Sequence, residues 1–248
     1  MSSPVLRKNP EFQPQNGYYY NPNVTNNQND VMTVENTITK TVGLFAVLLV
    51  GAAVGWFIPA LLIPAAIGAL VLGLVNAFRR NPNVPLILAY SLVEGVFLGA
   101  LSGIFEGRYP GIVSQAVIGT LVVFGVVLAL FTSGKVRATP KLTKVFMVAL
   151  ISYALFSLVN FVISLTGVMD NAFGIRGYEV FGIPLGLIIG AFAVLLASYS
   201  LVLDFTYIQQ GAENRAPIQD GWTAAFGLMV TLVWLYTEIL RIIAIFRE

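Results

Sequence analysis

From residue 41 onward the chain is a series of long apolar runs separated by short polar breaks, at 41–58, 60–78, 84–105, 112–131, 145–165, 183–203 and 222–246. Crossing a hydrocarbon core takes roughly 20 residues of helix, and each run is of that order. Strict apolar–polar alternation, the mark of a barrel strand, is absent from all of them. Backbone polar groups find no water in lipid, which leaves helix as the economical conformation. The pattern predicts an all-α integral membrane protein with seven transmembrane helices, occupying residues 41–248. Little more than Pro59 separates the first two runs, so they form a tight hairpin, and Pro64 predicts a kink in the second. The break at 166–182 is the longest connection between adjacent spans on its side and is mixed in charge. The break at 204–221 reads as a helix end and turn around Gln209–Asn214.

Residues 1–40 differ in kind. They are rich in Asn, Gln, Pro and Tyr, with Tyr18-Tyr19-Tyr20 followed by Asn21-Pro22-Asn23, and lack the apolar core of a signal peptide. Such a segment buries too little surface to fold alone, so a disordered cytoplasmic tail is expected. Small residues recur every four positions within the spans: Gly51 and Gly55, then Gly95, Gly99 and Gly103, then Gly182, Gly186 and Gly190. That spacing clears one helical face for close backbone approach. It serves packing within one protomer, a face between two, or a surface on which helices slide.

Composition sharpens the class. Apolar residues make up 57% of the chain and charged residues 10%, well below the quarter or so of a soluble domain. The absence of cysteine excludes disulfides and thiolate chemistry. The absence of histidine removes the commonest zinc ligand and the usual general base, so zinc proteases and serine–histidine hydrolases are excluded and no enzymatic activity is expected. A net charge of +2 is too small to point to nucleic acid. Its distribution says more. With the N-terminus inside, the inner segments hold ten basic residues (Arg7, Lys8, Lys40, Arg79, Arg80, Lys135, Arg137, Lys141, Lys144 and Arg215) against three outside, Arg108, Arg176 and Arg247. This positive-inside bias predicts a cell (inner) membrane protein with a cytoplasmic N-terminus and an outer C-terminus.

Three carboxylates interrupt the apolar runs: Glu94, Asp204 and Glu238. An ionisable group at membrane depth costs about 2.5–3.5 kcal/mol on insertion scales, so such residues face a partner, a water-filled cavity or an ion path. Tyr90 and Ser91 stand four and three positions before Glu94 and share its helical face, with Gln115, Asn160 and Asn76 as interhelical partners to choose from. Ser200 lies one turn before Asp204, which is either a solvated residue at a helix end or a dehydrated one facing the bundle centre. Arg241 follows Glu238 at i+3, a spacing that permits a charge pair on one helix.

The segments Leu203-Asp204-Phe205-Thr206-Tyr207-Ile208 and Trp234-Leu235-Tyr236-Thr237-Glu238-Ile239-Leu240 resemble the end of the transmembrane Bax inhibitor motif family and its bacterial relatives. Glu94-Gly95-Val96-Phe97-Leu98-Gly99 is similar to the glutamate–glycine motif of one bacterial branch, and the resemblance covers about residues 41–246. It implies a seven-helix bundle whose last helix is enclosed by the other six, acting as a pH-sensitive calcium leak. Carried over, Asp204 and Glu238 would be the carboxylate pair that senses pH and weakly ligates calcium, with Arg79 or Arg80 latching the closed state by pairing with Asp204. Two departures stand out: glutamate replaces the usual aspartate at 238, and the interval between the two carboxylates is long. Glu238 lies about 24 Å along the helix axis from Trp222 at 1.5 Å per residue.

Two carboxylates close together in a low dielectric share a proton, and when charged they offer hard oxygen ligands that suit calcium or another cation. The bound species would be passing cargo, not a resident cofactor. Buried carboxylates serve equally in a proton-coupled carrier of a small solute, and a structural or partner-binding membrane protein needs no ion path at all. Pattern and spacing leave those alternatives, and the oligomeric state, open.

Overall fold

The computed structural model describes residues 31–79, 81–166 and 173–248, together with the antiparallel dipeptides Pro14–Gln15 and Tyr18–Tyr19. Most of the expected tail, and Arg80, lie outside the described residues. Helix α1 (Val34–Phe57) begins seven residues before the apolar run because Thr33 caps it, its side chain accepting from the Asn36 N–H at 3.1 Å, with Glu35 favourably placed in the first turn. Just before it, Met32 is buried in the core and its N–H donates to Ala216 O at 2.7 Å.

A short 3-10 turn, Pro59–Leu61, joins α1 to α2 (Leu62–Phe78) as a tight hairpin. Pro64 occupies the first turn of α2, where its missing N–H has no helical acceptor to lose and no kink is required of it. Then come α3 (Val84–Arg108), α4 (Ile112–Thr132), α5 (Pro140–Thr166), α6 (Leu185–Glu213) and α7 (Asp220–Phe246). Among the described residues seven helices are long and apolar enough to cross a membrane, as the hydropathy pattern predicted. The protein is a multi-pass membrane protein. Their alternation puts the start of α1, Arg79, the α4–α5 turn and the α6–α7 turn at one end of the bundle, here termed the basic end.

Most of these glycines are used inside the protomer; Gly182 instead precedes α6 in a left-handed turn, with nothing within 4 Å of a Cβ there. A Cβ on Gly51 or Gly55 would stand 2.2 Å from Leu92 O or 2.0 Å from Val96 O on α3. A Cβ on Gly95 or Gly99 would stand 2.0 Å from Leu48 O or 1.9 Å from Ala52 O on α1. The two helices therefore touch backbone to backbone along several turns, the small-residue packing that replaces hydrophobic driving force in lipid. On α6, Gly186 and Gly190 make room for Ile245 and Ile242 of α7.

α7 is the enclosed helix: half of its most apolar stretch is buried, against 11% for α2 and for α5. Its buried face packs Ala225 and Met229 on α1 and α3, Leu228 and Leu235 on α4 and α6, and Leu240 and Ala244 on α4. The last helix is the most buried of the spans, packed closely by α1, α3, α4 and α6, while α2 and α5 stand farther out. Both ends of α7 are tied down. At the basic end, Lys40 Nζ donates to Ile218 O at 2.6 Å and stands over the Trp222 ring. At the other, Arg247 donates to Pro110 O and Gln115 Oε1.

Candidate functional site: two carboxylate centres along the central helix

Asp204 and Glu238 do not meet. Asp204, on α6, accepts a 2.6 Å hydrogen bond from the Thr231 hydroxyl of α7, and Ser200 Oγ lies 3.2 Å from the same hydroxyl. Thr231 precedes Glu238 by seven residues, roughly 10 Å of helix rise, so each carboxylate belongs to its own layer. The long interval in the sequence is the reason. Extending α6 to Glu213 and starting α7 at Asp220 puts Asp204 opposite Thr231.

What faces Asp204 is a largely apolar cavity of about 530 Å³ shared with Glu94 and open at the α2 side, where the exposed Leu70 and Leu74 flank it. Its walls are Ala66, Ala69, Gly73 and Ala77 of α2, Tyr90 and Glu94 of α3, and Phe226, Gly227 and Thr231 of α7. Glycine at 227 matters here, because a Cβ there would approach Asp204 Oδ1 to 3.3 Å. Glu94 is 8% exposed and interacts with the Tyr90 hydroxyl one turn earlier. Ser91, on the adjoining face, instead donates to Ile87 O and contacts Met229 Sδ at 3.3 Å, away from the cavity. Neither Glu94 nor Asp204 has a basic partner within salt-bridge distance among the described residues. Arg79 is exposed and does not pair with Asp204, so the latch suggested by resemblance is not formed at that residue.

None of the three polar side chains weighed as partners of Glu94 reaches it. Gln115 receives Arg247, Asn76 bonds Leu72 O and Leu86 O at the α2–α3 turn, and Asn160 holds a loop. Among the described residues no three histidine, cysteine or acidic side chains converge as a metal group.

Glu238 occupies the second centre and is 2% exposed. Arg241 Nη1 donates to its Oε1 at 2.6 Å, the i+3 pair that the spacing allowed. Tyr153 of α5 donates to the same oxygen. The third partner was not legible. Arg176, in the 3-10 turn Gly174–Gly177 between α5 and α6, is 3% exposed and places Nη1 3.4 Å from Glu238 Oε2. Its Nη2 donates to Tyr153 Oη and Ser157 Oγ, both at 2.9 Å. The residue counts as an outer-loop charge in the sequence, and only the fold carries it inward. One carboxylate between two guanidiniums leaves this centre with an excess positive charge.

The Bax inhibitor 1 like family model matches residues 3–248, essentially the whole chain. The chain belongs to the Bax inhibitor 1 like family. No curated protein matches it. Within this Bax inhibitor 1 like protein, the resemblance read from the two terminal motifs extends to the full length, including the glutamate–glycine stretch that supplies Glu94. The family's seven apolar helices are consistent with a transmembrane channel or transport role.

Proposed function

We propose that this protein is a pH-controlled cation leak of the cell membrane, with calcium as a suitable cargo, in which Glu94 and Asp204 receive the ion. The observation that carries the reading is one cavity of about 530 Å³ lined by two carboxylates with no basic partner among the described residues. A charge at that depth without a counter-charge is expensive, and a proton or a cation is what relieves it. The two compete. Protonated carboxylates are neutral and hold no cation; charged ones present hard oxygens beside the Thr231 and Tyr90 hydroxyls. Flux therefore falls as pH falls. Asp204 keeps the role expected of it, Glu94 takes the place first given to Glu238, and Glu238 with Arg176 and Arg241 lies further along the route. No step in this reading is catalytic. The basic residues at the end that carries α1's start support a cytoplasmic N-terminus and an outer C-terminus.

The test is calcium flux into liposomes over the range from about pH 5 to about pH 8, with wild type beside Asp204→Asn and Glu94→Gln. A flux that drops on acidification, and whose pH dependence either substitution flattens, is the expected result. Folded protein without flux at any pH would sink the leak. A second reading has one observation in its favour: the cavity lies within the roughly 300–1,000 Å³ of small-molecule sites, more room than a bare ion needs. A proton-coupled carrier of a small solute predicts uphill, saturable uptake, where a leak predicts neither.

A further inference from the structure

We propose that Arg176 is a removable plug that closes the route between the carboxylate cavity and the end of the bundle opposite the basic end. The inference rests on the cavity described above as the ion-receiving chamber and adds how that chamber is shut on one side.

Four observations converge. The first is position. The Glu238 layer lies roughly 10 Å beyond Thr231 along α7, so a path that follows the central helix from the cavity toward that end runs past it. The second is charge. Two guanidiniums and one carboxylate make the layer net positive, which opposes a cation at the point where the low dielectric makes it most effective. The third is shape. The Arg176 guanidinium fills the space between α5 and α7, 5.4 Å from the Tyr153 ring centroid and 5.6 Å from that of Phe156.

The fourth is redundancy. Glu238 already holds Arg241 at 2.6 Å on its own helix, so withdrawing Arg176 leaves the carboxylate paired. It would also leave behind the hydroxyls of Tyr153 and Ser157, a polar lining where the guanidinium had been. A purely structural neutralisation of Glu238 needs one arginine, not two.

The mounting suits a part that moves. Arg176 rides on a four-residue 3-10 turn. Asn160 of α5 secures that turn, accepting from Ile175 N–H at 2.8 Å and donating to Phe173 O at 3.2 Å. Its carbonyl side rests on α6 at Gly186, where a Cβ would come within 2.9 Å of Arg176 O. These anchors are few beside the apolar packing that holds the helices.

Because the chain has no cysteine, one introduced thiol reports the plug without reference to any ion. Ala69→Cys puts a thiol on the buried α2 wall of the cavity. A permanently cationic, membrane-impermeant methanethiosulfonate reagent is applied from either side of sealed vesicles. Their sidedness is assigned with Lys135→Cys on the exposed α4–α5 turn. In the otherwise native protein the cavity thiol reacts from the basic end far faster than from the other. Adding Arg176→Met, which keeps bulk and removes charge, raises the rate from the other end by about tenfold or more, as expected for an open state otherwise populated at a few per cent or less. Asn160→Val loosens the turn while leaving the ion pairs their atoms, and raises the same rate by a smaller factor, so the inference remains testable if Arg176→Met does not fold.

Unchanged labelling from the other end in a folded Arg176→Met or Asn160→Val protein overturns the plug, even if thermal stability falls. So does rapid labelling from that end with Arg176 intact. Loss of calcium flux in wild type would instead overturn the leak, and it leaves this labelling result standing on its own.

Discussion

Asp204 and Glu238 carry the same charge in the same bundle and meet opposite surroundings. Glu238 is enclosed by two arginines and a tyrosine; Asp204 faces open space with one hydroxyl donor. Removing one partner of a buried ion pair costs about 3–5 kcal/mol because the other charge is left uncompensated. Glu238→Gln strands both guanidiniums, and its unfolding temperature in detergent should drop clearly below that of wild type. Asp204→Asn strands nothing and should unfold near the wild-type temperature, so comparing the two melting curves checks whether the centres differ as described. A third substitution probes the cavity itself. Gly227→Leu drives a side chain toward Asp204, whose Oδ1 is 3.3 Å from a Cβ at that position. It should abolish calcium flux while circular dichroism shows the helices intact.

Among the elements, α1 and α3 form the most exacting contact. Overpacking a core usually costs about 1–3 kcal/mol because side chains shift. Here the neighbour of each glycine is backbone, which cannot shift without moving the helix. Gly99→Val, whose Cβ would lie 1.9 Å from Ala52 O, should lower yield and melting temperature far more than Gly107→Val, a position with nothing within 4 Å. α3 also carries Tyr90 and Glu94, so the glycine contact fixes one wall of the cavity. α2 contributes small residues to that wall and α6 contributes Asp204. Side chains also secure the starts of α3 and α4. Asn83 accepts from Leu86 N–H at 3.1 Å, and Glu106 accepts from Gly111 N–H at 2.6 Å and Val113 N–H at 3.0 Å.

For the whole molecule the consequence is a central helix with its polar groups in two layers: Asp204–Thr231 with Glu94 around a cavity, and Glu238 with Arg176 and Arg241 beyond it. If the positive-inside bias sets orientation, Lys135→Cys reacts with an impermeant thiol reagent only from the cytoplasmic side of oriented vesicles and Glu248→Cys only from the outside. The reverse pattern would overturn the assignment. It would also invert which side of the membrane the cavity and the plug serve.

The seven spans and the three membrane-depth carboxylates were legible in the sequence, because hydropathy over twenty residues and the cost of a charge in lipid are local quantities. So was the Arg241–Glu238 pair, since i+3 neighbours share a helical face whatever the fold. Helix beginnings were less legible. Thr33 caps α1 outside the apolar run, and Pro64 falls in a first turn, so both boundaries depend on local hydrogen bonding that hydropathy does not register. Which carboxylate faces which neighbour was decided only by tertiary structure. The packing of α6 on α7 gives Asp204 to Thr231 and the cavity, seven residues short of Glu238, and a loop arginine 62 residues from Glu238 in sequence becomes its buried partner. No local pattern encodes either contact, because each depends on how far one helix slides along another before their small residues and backbones lock.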